Sequence, residues 1–480
     1  MRSRDKTSAI QKGANLAGKT SPGVAESRLF DWPLADEAER LLRQRMESFL
    51  ERNAFARGLA ERMRDETGTD FFEWMDHLVL APREEKILRG VGFVPDRHAE
   101  TPKGEAVYEH PRATLPRVLL RPGPSVIALR PESVADFMAS HNLSGEAEGE
   151  PCSRYRRVAV SQQKGTLLEA VERRAYRGFV AAPLKPGELR NIVKARELLR
   201  TRPRRFAGSA EGFKAANRIL DRVLRLVGQD LACQFFFEAE RAYWESRNRA
   251  ARIQKHRQDR LGLGWGNHDH HTFRCSRGHF VDLVKFLLRL GFAKRERYYA
   301  GAEAGWGAQV SEQPVAGIVV FADVDLLPEE TQIDFSTEKL PPASQLGTVG
   351  LWVALHGESF LEAGMHHLEA RFDFDLLRNQ LKDCGVNTMN PFSDFPFLRQ
   401  AFTEGERWPV RRDRAQRLLS ASLITRKQFG QFLREGALGS HLENLQRHGG
   451  FKGFNQKSVS VVIAATDPRR SHFGPAAASA

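Results

Sequence analysis

Twice in this chain a histidine-bearing, strand-like segment runs into an amphipathic helix that stops at glycine. The first copy is Gly266-Asn267-His268-Asp269-His270-His271-Thr272-Phe273-Arg274, followed by a helical pattern over residues 280–290 and then Gly291-Phe292. The second is Gly364-Met365-His366-His367-Leu368-Glu369-Ala370-Arg371-Phe372, followed by a helical pattern over 375–382 and then Cys384-Gly385. A repeated supersecondary unit constrains a fold more tightly than composition does, because each copy leaves an apolar face that a neighbour has to cover. Glycine suits the left-handed position at a helix end. Side chains alternate along a strand, so His268, His270, Thr272 and Arg274 are expected on one face.

The first copy continues with strand-like runs at 295–299, 307–312 and 317–324, which makes a βαβββ module. A weaker version of the same order precedes it: a strand over 72–80, a short helix over 84–88, and strands at 106–110, 117–120 and 125–129. There His77 and Glu109 are candidate ligands, weighed against a core histidine and a surface acid. Residues 160–260 read mostly as helix, with apolar residues recurring at helical spacing over 219–227. Beyond the second copy lie helices over 414–423 and 425–435, a glycine-rich loop over 449–456 and a strand over 459–463. The division expected is a disordered basic tail (1–34), a degenerate module with N-terminal helices (35–155), a basic helical region (156–260), a metal-binding catalytic domain (261–470) and a disordered tail (471–480).

The net charge is +13, and 18 Lys/Arg against 8 Asp/Glu place ten units of it between residues 190 and 260. These arginines alternate with helical apolar positions and lack aromatic platforms, which reads as a solvated basic face rather than a nucleic-acid surface. The first residues are basic without an apolar core, unlike a secretory signal, and no run approaches the ~18 apolar residues of a membrane span. Cys152, Cys233, Cys275 and Cys384 are scattered and form no CxxC pair, which fits a reducing, cytoplasmic setting.

Two histidines on equivalent strands of paired modules, joined by a carboxylate, make a facial triad of the kind that binds Fe(II) and leaves three positions open. Asp269-His270-His271-Thr272-Phe273-Arg274, Gly364-Met365-His366-His367-Leu368, Phe402-Thr403-Glu404-Gly405-Glu406 and Gly450-Phe451-Lys452-Gly453-Phe454-Asn455 occur in the order found in one family. Over residues 220–470 the chain resembles the 2-oxoadipate dioxygenase/decarboxylase (hydroxyglutarate synthase) family, whose core is vicinal-oxygen-chelate-like. The resemblance implies an α+β fold of paired βαβββ modules forming a half-barrel, with added helices.

It also implies a site. The metal ligands fall on His270, His367 and Glu404, with Glu406 as the alternative one slip away. Arg274 becomes the catalytic residue that grips the substrate carboxylate, and His270, Phe454 and Asn455 join it in contacting substrate. His268, His271 and His366 become supporting residues. The cofactor implied is Fe(2+), the partners a small 2-oxo acid and dioxygen, and the reaction type 2-oxoadipate to 2-hydroxyglutarate. Two rivals stand beside this reading: another divalent-metal enzyme on the same scaffold (isomerase, lyase or hydrolase), and a non-catalytic binding protein that kept the fold.

Overall fold

The computed structural model describes residues 32–102, 104–299, 305–455, 463 and 466–469. The tails expected at 1–34 and 471–480 fall outside these residues except for 32–34, and so does most of the strand expected at 459–463.

The N-terminal part begins with α1 (Asp36–Arg52) and α2 (Ala54–Arg62). The first sheet follows: β1 (Met75–Leu80), α3 (Glu85–Gly90), β2 (Val94–Pro95), β3 (Ala106–Glu109), β4 (Arg117–Leu120), β5 (Ser125–Leu129), α4 (Val134–Ser140), β6 (Tyr155–Gln163) and β7 (Thr166–Arg173). Its strand order is β2-β3-β4-β1-β5-β7-β6. One βαβββ module (β1 to β4) thus pairs with a βαββ module (β5 to β7) across antiparallel β1 and β5. The helical reading of residues 160–173 is corrected here. That stretch belongs to a hairpin whose apolar side chains alternate, with Leu168, Ala170 and Val171 buried against neighbouring strands and helices.

Three helices connect the sheets: α5 (Glu188–Arg200), α6 (Ser209–Glu245) and α7 (Arg249–Asp259). Gly228, at φ 76 and ψ 177, breaks α6 into two segments. The basic residues here are only partly a solvated face. Arg202 and Arg204 both bind the buried Glu240, at 2.8 and 2.7 Å, and Arg257 Nε donates to the carbonyl of Glu66 at 2.9 Å. These arginines fasten neighbouring segments together, while most of the other basic residues between 190 and 260 are exposed as expected.

The second sheet contains β8 (His268–Arg274), α8 (Phe280–Arg289), β9 (Ala293–Tyr299), β10 (Trp306–Gln313) and β11 (Ile318–Asp325) as one βαβββ module. After α9 (Thr348–His356) come β12 (His367–Arg371), α10 (Phe374–Asp383), β13 (Ser393–Phe395), β14 (Leu398–Phe402), β15 (Glu406–Trp408), α11 (Arg412–Ser420), α12 (Arg426–Glu435) and β16 (Ala437–Arg447). The order is β13-β14-β16-β12-β8-β11-β10-β9, with β15 on the edge of β16. Each half has its first strand beside its last, and the halves join where β8 and β12 run antiparallel. The paired βαβββ arrangement expected from the repeat is present as an open sheet with added helices.

Period-two burial explains how this sheet carries a site. Ile318, Val320, Ala322 and Val324 of β11, Phe273 of β8, and Leu368 and Ala370 of β12 face one way, into a core shared with α6 and α8. Phe280, Leu283, Val284 and Leu287 bring α8 onto that core at helical spacing. The opposite face is also buried, yet it presents His270, Thr272, Arg274, Asp323, His367 and Glu443. Buried polar groups need partners, so this face is where chemistry is expected. Among the described residues no helix is long and apolar enough to cross a membrane.

Candidate metal centre

His270, His367 and Glu443 converge on that polar face, one ligand atom from each lying within 4.8 Å of the others. His367 Nε2 is 3.0 Å and His270 Nε2 3.8 Å from the same carboxylate oxygen, Oε2 of Glu443. Nitrogen and oxygen ligands about 2.0 to 2.2 Å from one ion, at right angles, stand roughly 3 Å apart, so two imidazoles and one carboxylate at these spacings fit a divalent cation. The residues are 5, 7 and 2 % exposed.

Local structure positions each donor. His270 Nδ1 lies 2.7 Å from Glu369 Oε1, which turns Nε2 toward Glu443. Glu369 and Glu443 are register partners on parallel β12 and β16, and Gln400 Nε2 donates to both, at 2.7 and 3.1 Å. His367 is oriented by its neighbour, the two Nδ1 atoms of His366 and His367 being 2.9 Å apart. Its Nε2 also meets Thr272 Oγ1 at 2.8 Å. A second group, Asp269 with His270 and Glu369, uses the other side of the same imidazole. Asp269 is engaged by Arg447 and Arg371, each at 3.1 Å, so its carboxylate is already paired with two cations.

Electrostatics separate the two histidines. Burial would lower the pKa of His270, but Glu369 and Asp269 outweigh it and hold the group up at about 9. Burial, together with His270, His441 and Arg274, keeps His367 well below its ordinary value. Burial and the adjacent Glu369 push Glu443 well above the usual carboxylate range.

Arg274, two pairs along β8 from His270, lines the same cavity and is 1 % exposed. Its Nη2 donates to Thr466 Oγ1 at 2.8 Å, while buried Nε and Nη1 have no hydrogen-bond partner among the described residues. Burial lowers its pKa to about 10, against the attraction of Asp323 and Asp325. Asp323, the register partner of Arg274 on β11, is pushed up to about 7 by burial, against Arg274 and His270. The cavity measures about 70 Å3 and is walled by aromatic rings, including Trp306, Phe321, Phe402 and Phe454. Phe454 packs edge-on against Tyr298 and Phe321, and Asn455 donates to Phe392 O and Ser393 Oγ, at 3.0 and 2.9 Å. Both residues line the cavity.

Three expectations are revised by this geometry. Glu404 does not join the histidines: its side chain is exposed on the turn after β14, where Oε2 accepts from Asn387 Nδ2 at 3.1 Å. Glu406 accepts from the backbone of Arg249 at 2.9 Å and is no substitute. The carboxylate in the cluster is Glu443, on β16, which the sequence reading passed over; completing the second module to four strands, as in the first, calls for a last strand there. His268 does not share the face of His270. A bulge places two residues of β8, Asp269 and His270, opposite one of β12, Glu369, between the pairs His271–Leu368 and His268–Ala370, and this reverses the alternation. His268 Nδ1 instead meets Trp265 O at 2.9 Å, and burial with Arg241 and Arg130 lowers its pKa to about 3. His271 is on that same side, edge-on to Phe237.

The first sheet has no such cluster among the described residues. His77 Nδ1 pairs with Asp76 at 2.7 Å, Asp76 binds Arg173 at 2.7 Å, and Glu109 pairs with Arg177. Phe179 covers the spot, with its ring 4.9 Å from His77 and under the guanidinium groups of Arg117 and Arg173.

No family model and no curated protein matches the chain. Among solved structures, a mutant of 4-hydroxymandelate synthase from Streptomyces coelicolor is 14 % identical, covering 82 % of this chain and 98 % of its own, with a TM-score of 0.27. Methylmalonyl-CoA epimerase from Mycobacterium tuberculosis is 11 % identical over 38 % of this chain and 88 % of its own, with a TM-score of 0.22. Glyoxalase I from Zea mays is 15 % identical over 21 % and 42 %, with a TM-score of 0.17.

Proposed function

We propose that the chain is an Fe(II)-dependent dioxygenase/decarboxylase of a 2-oxo acid, with His270, His367 and Glu443 holding the metal and a 2-oxoadipate to 2-hydroxyglutarate type of reaction. The observation that carries this reading is the sharing of one buried cavity by a two-histidine, one-carboxylate donor set and an arginine two of whose nitrogens meet no hydrogen-bond partner among the described residues. A bound ferrous ion supplies dioxygen activation and the oxidative loss of carbon dioxide.

The residues supply the rest. Arg274 receives a carboxylate and fixes its orientation, since a guanidinium offers a planar pair of donors. Glu369 holds the Nδ1 proton of His270, leaving the Nε2 lone pair free for the ion. The aromatic wall excludes water and strengthens the charge interactions inside. Asp323 titrates near neutrality beside Arg274, so it can hold or release a proton within the cavity.

The test is oxygen uptake by the iron-loaded full chain on adding 2-oxoadipate, with product acid and carbon dioxide measured together. Full iron occupancy without uptake removes this substrate. The same Asp323 favours a second reading, a divalent-metal isomerase or lyase in which that carboxyl moves the proton; turnover without oxygen consumption would select it.

A further inference from the structure

A second, larger cavity of about 470 Å3 lies where the first sheet, α6 and the start of β8 meet. It shares no lining residue with the metal cavity. Six cations line it: Arg130, Arg173, Arg174, Arg196, Arg241 and Lys255. Four already have close acidic partners. Arg173 binds Asp76 at 2.7 Å, Arg174 binds Glu172, Arg196 binds Glu238 at 3.1 Å, and Lys255 binds Asp259 at 2.7 Å.

Arg130 and Arg241 remain. The Arg130 guanidinium makes no hydrogen bond or ion pair with any described residue, although the residue is half-buried at the end of β5. Arg241 has a side chain only 4 % exposed, and its Nε has no hydrogen-bond partner among the described residues. Its remaining contacts are long: 3.5 Å from Nη2 to Glu132 Oε1 and 3.4 Å from Nη1 to His271 Nε2. The other oxygen of Glu132, Oε2, accepts from the backbone N–H of Trp265 at 3.0 Å. Burial lowers the pKa of Arg130, against the attraction of Asp76 and together with the repulsion of Arg173, Arg371 and Arg241. Glu132, Asp136, Glu238 and Glu245 also line the cavity, and Glu132 pairs with Arg241. The Arg130 guanidinium and Arg241 Nε nonetheless keep donors that no described residue meets, and unmet buried donors are costly unless an anion joins them.

From this arrangement we propose that the cavity is a binding site for a small oxyanion, a carboxylate or phosphate group gripped between Arg130 and Arg241. A guanidinium fork matches either group, and the cavity volume accommodates the body of a small metabolite. Because Arg241 also touches His271 on β8, an occupant here bears on the strand that carries His270.

The experiment is thermal unfolding of the full chain titrated with inorganic phosphate and, separately, succinate, against sodium chloride at matched ionic strength. A ligand that binds only the folded state raises the melting temperature as its concentration passes the dissociation constant. The expected result is a rise beyond the chloride control with at least one anion, and the larger rise identifies phosphate or carboxylate as the chemistry. Arg130→Gln abolishes that rise, and Arg130→Lys, which keeps the charge but not the fork, weakens it. Arg274→Gln, in the other cavity, leaves it intact. The proposal is overturned if neither anion exceeds chloride, or if the rise survives Arg130→Gln.

Discussion

Glu369 and Glu443 stand side by side on neighbouring parallel strands, and a single amide nitrogen, Nε2 of Gln400, bridges them. The pair divides its work: Glu369 meets His270 Nδ1, while Glu443 meets His367 Nε2 on the side where a metal would sit.

Glu443→Gln is therefore expected to lose metal more severely than any change in the supporting residues, by more than about 100-fold in affinity. Glu404→Gln, on its exposed turn, should leave affinity within about twofold. Titration with Fe(II) or Co(II) under anaerobic conditions compares the two, and a large loss in Glu404→Gln with none in Glu443→Gln would reverse the assignment.

Glu369→Gln removes the partner that orients His270. A loss of about 10- to 100-fold in metal affinity is expected, the range for outer-shell carboxylates behind ligating histidines. Its melting temperature without metal tests whether the loss is local. Collapse of the apoprotein would mean that Glu369 acts on the fold instead.

Arg274→Lys keeps a cation in the cavity but loses the planar fork. Charge-assisted hydrogen bonds contribute about 1.5 to 3 kcal/mol, so kcat/KM toward a 2-oxo acid should fall by about 10- to 100-fold with metal content unchanged. Steady-state kinetics on metal-quantified protein reads this, and an unaltered kcat/KM would remove Arg274 from substrate binding.

Without metal, His270 keeps its proton up to about pH 9. A metal ion must displace that proton, so affinity should rise with pH up to about 9, by roughly tenfold per unit for each proton released. Calorimetry in two buffers of different ionisation enthalpy counts the protons. The same raised value gives the apoprotein a stabilising contribution that is complete below about pH 6.5 and is lost as pH rises through about 9. A pH-independent metal affinity between 6 and 9 contradicts this.

In the first sheet, Phe179 fills the place that the second sheet leaves open. Phe179→Ala should destabilise the chain by about 3 to 5 kcal/mol, as large-to-small core changes of this kind do, with little effect on metal binding. Denaturant unfolding alongside metal titration separates the two effects.

The repeat, the two histidine strands and Arg274 were legible because each is a local pattern: alternation, helical spacing, and glycine at a helix end. Glu443 was not, since β16 is buried along most of both faces and offers little alternation to read. Its partner strand β12 is distant in sequence, and only sheet pairing brings the carboxylate to the histidines. His268 was misplaced for a different reason. Its side follows from a bulge fixed by pairing with β12, and nothing in the local sequence announces the extra residue. The N-terminal half showed one module of two, because β6 and β7 carry charged residues that masked their strand rhythm.

The seam between β8 and β12 has a consequence for folding order. His270 comes from one module, His367 and Glu443 from the other, so neither half alone holds a complete donor set. Such long-range pairings form late, after loop-closure entropy has been overcome. Under the proposed function, metal capture would then signal that the last strands have zipped, and an ion binding only the finished seam would lock the two modules together.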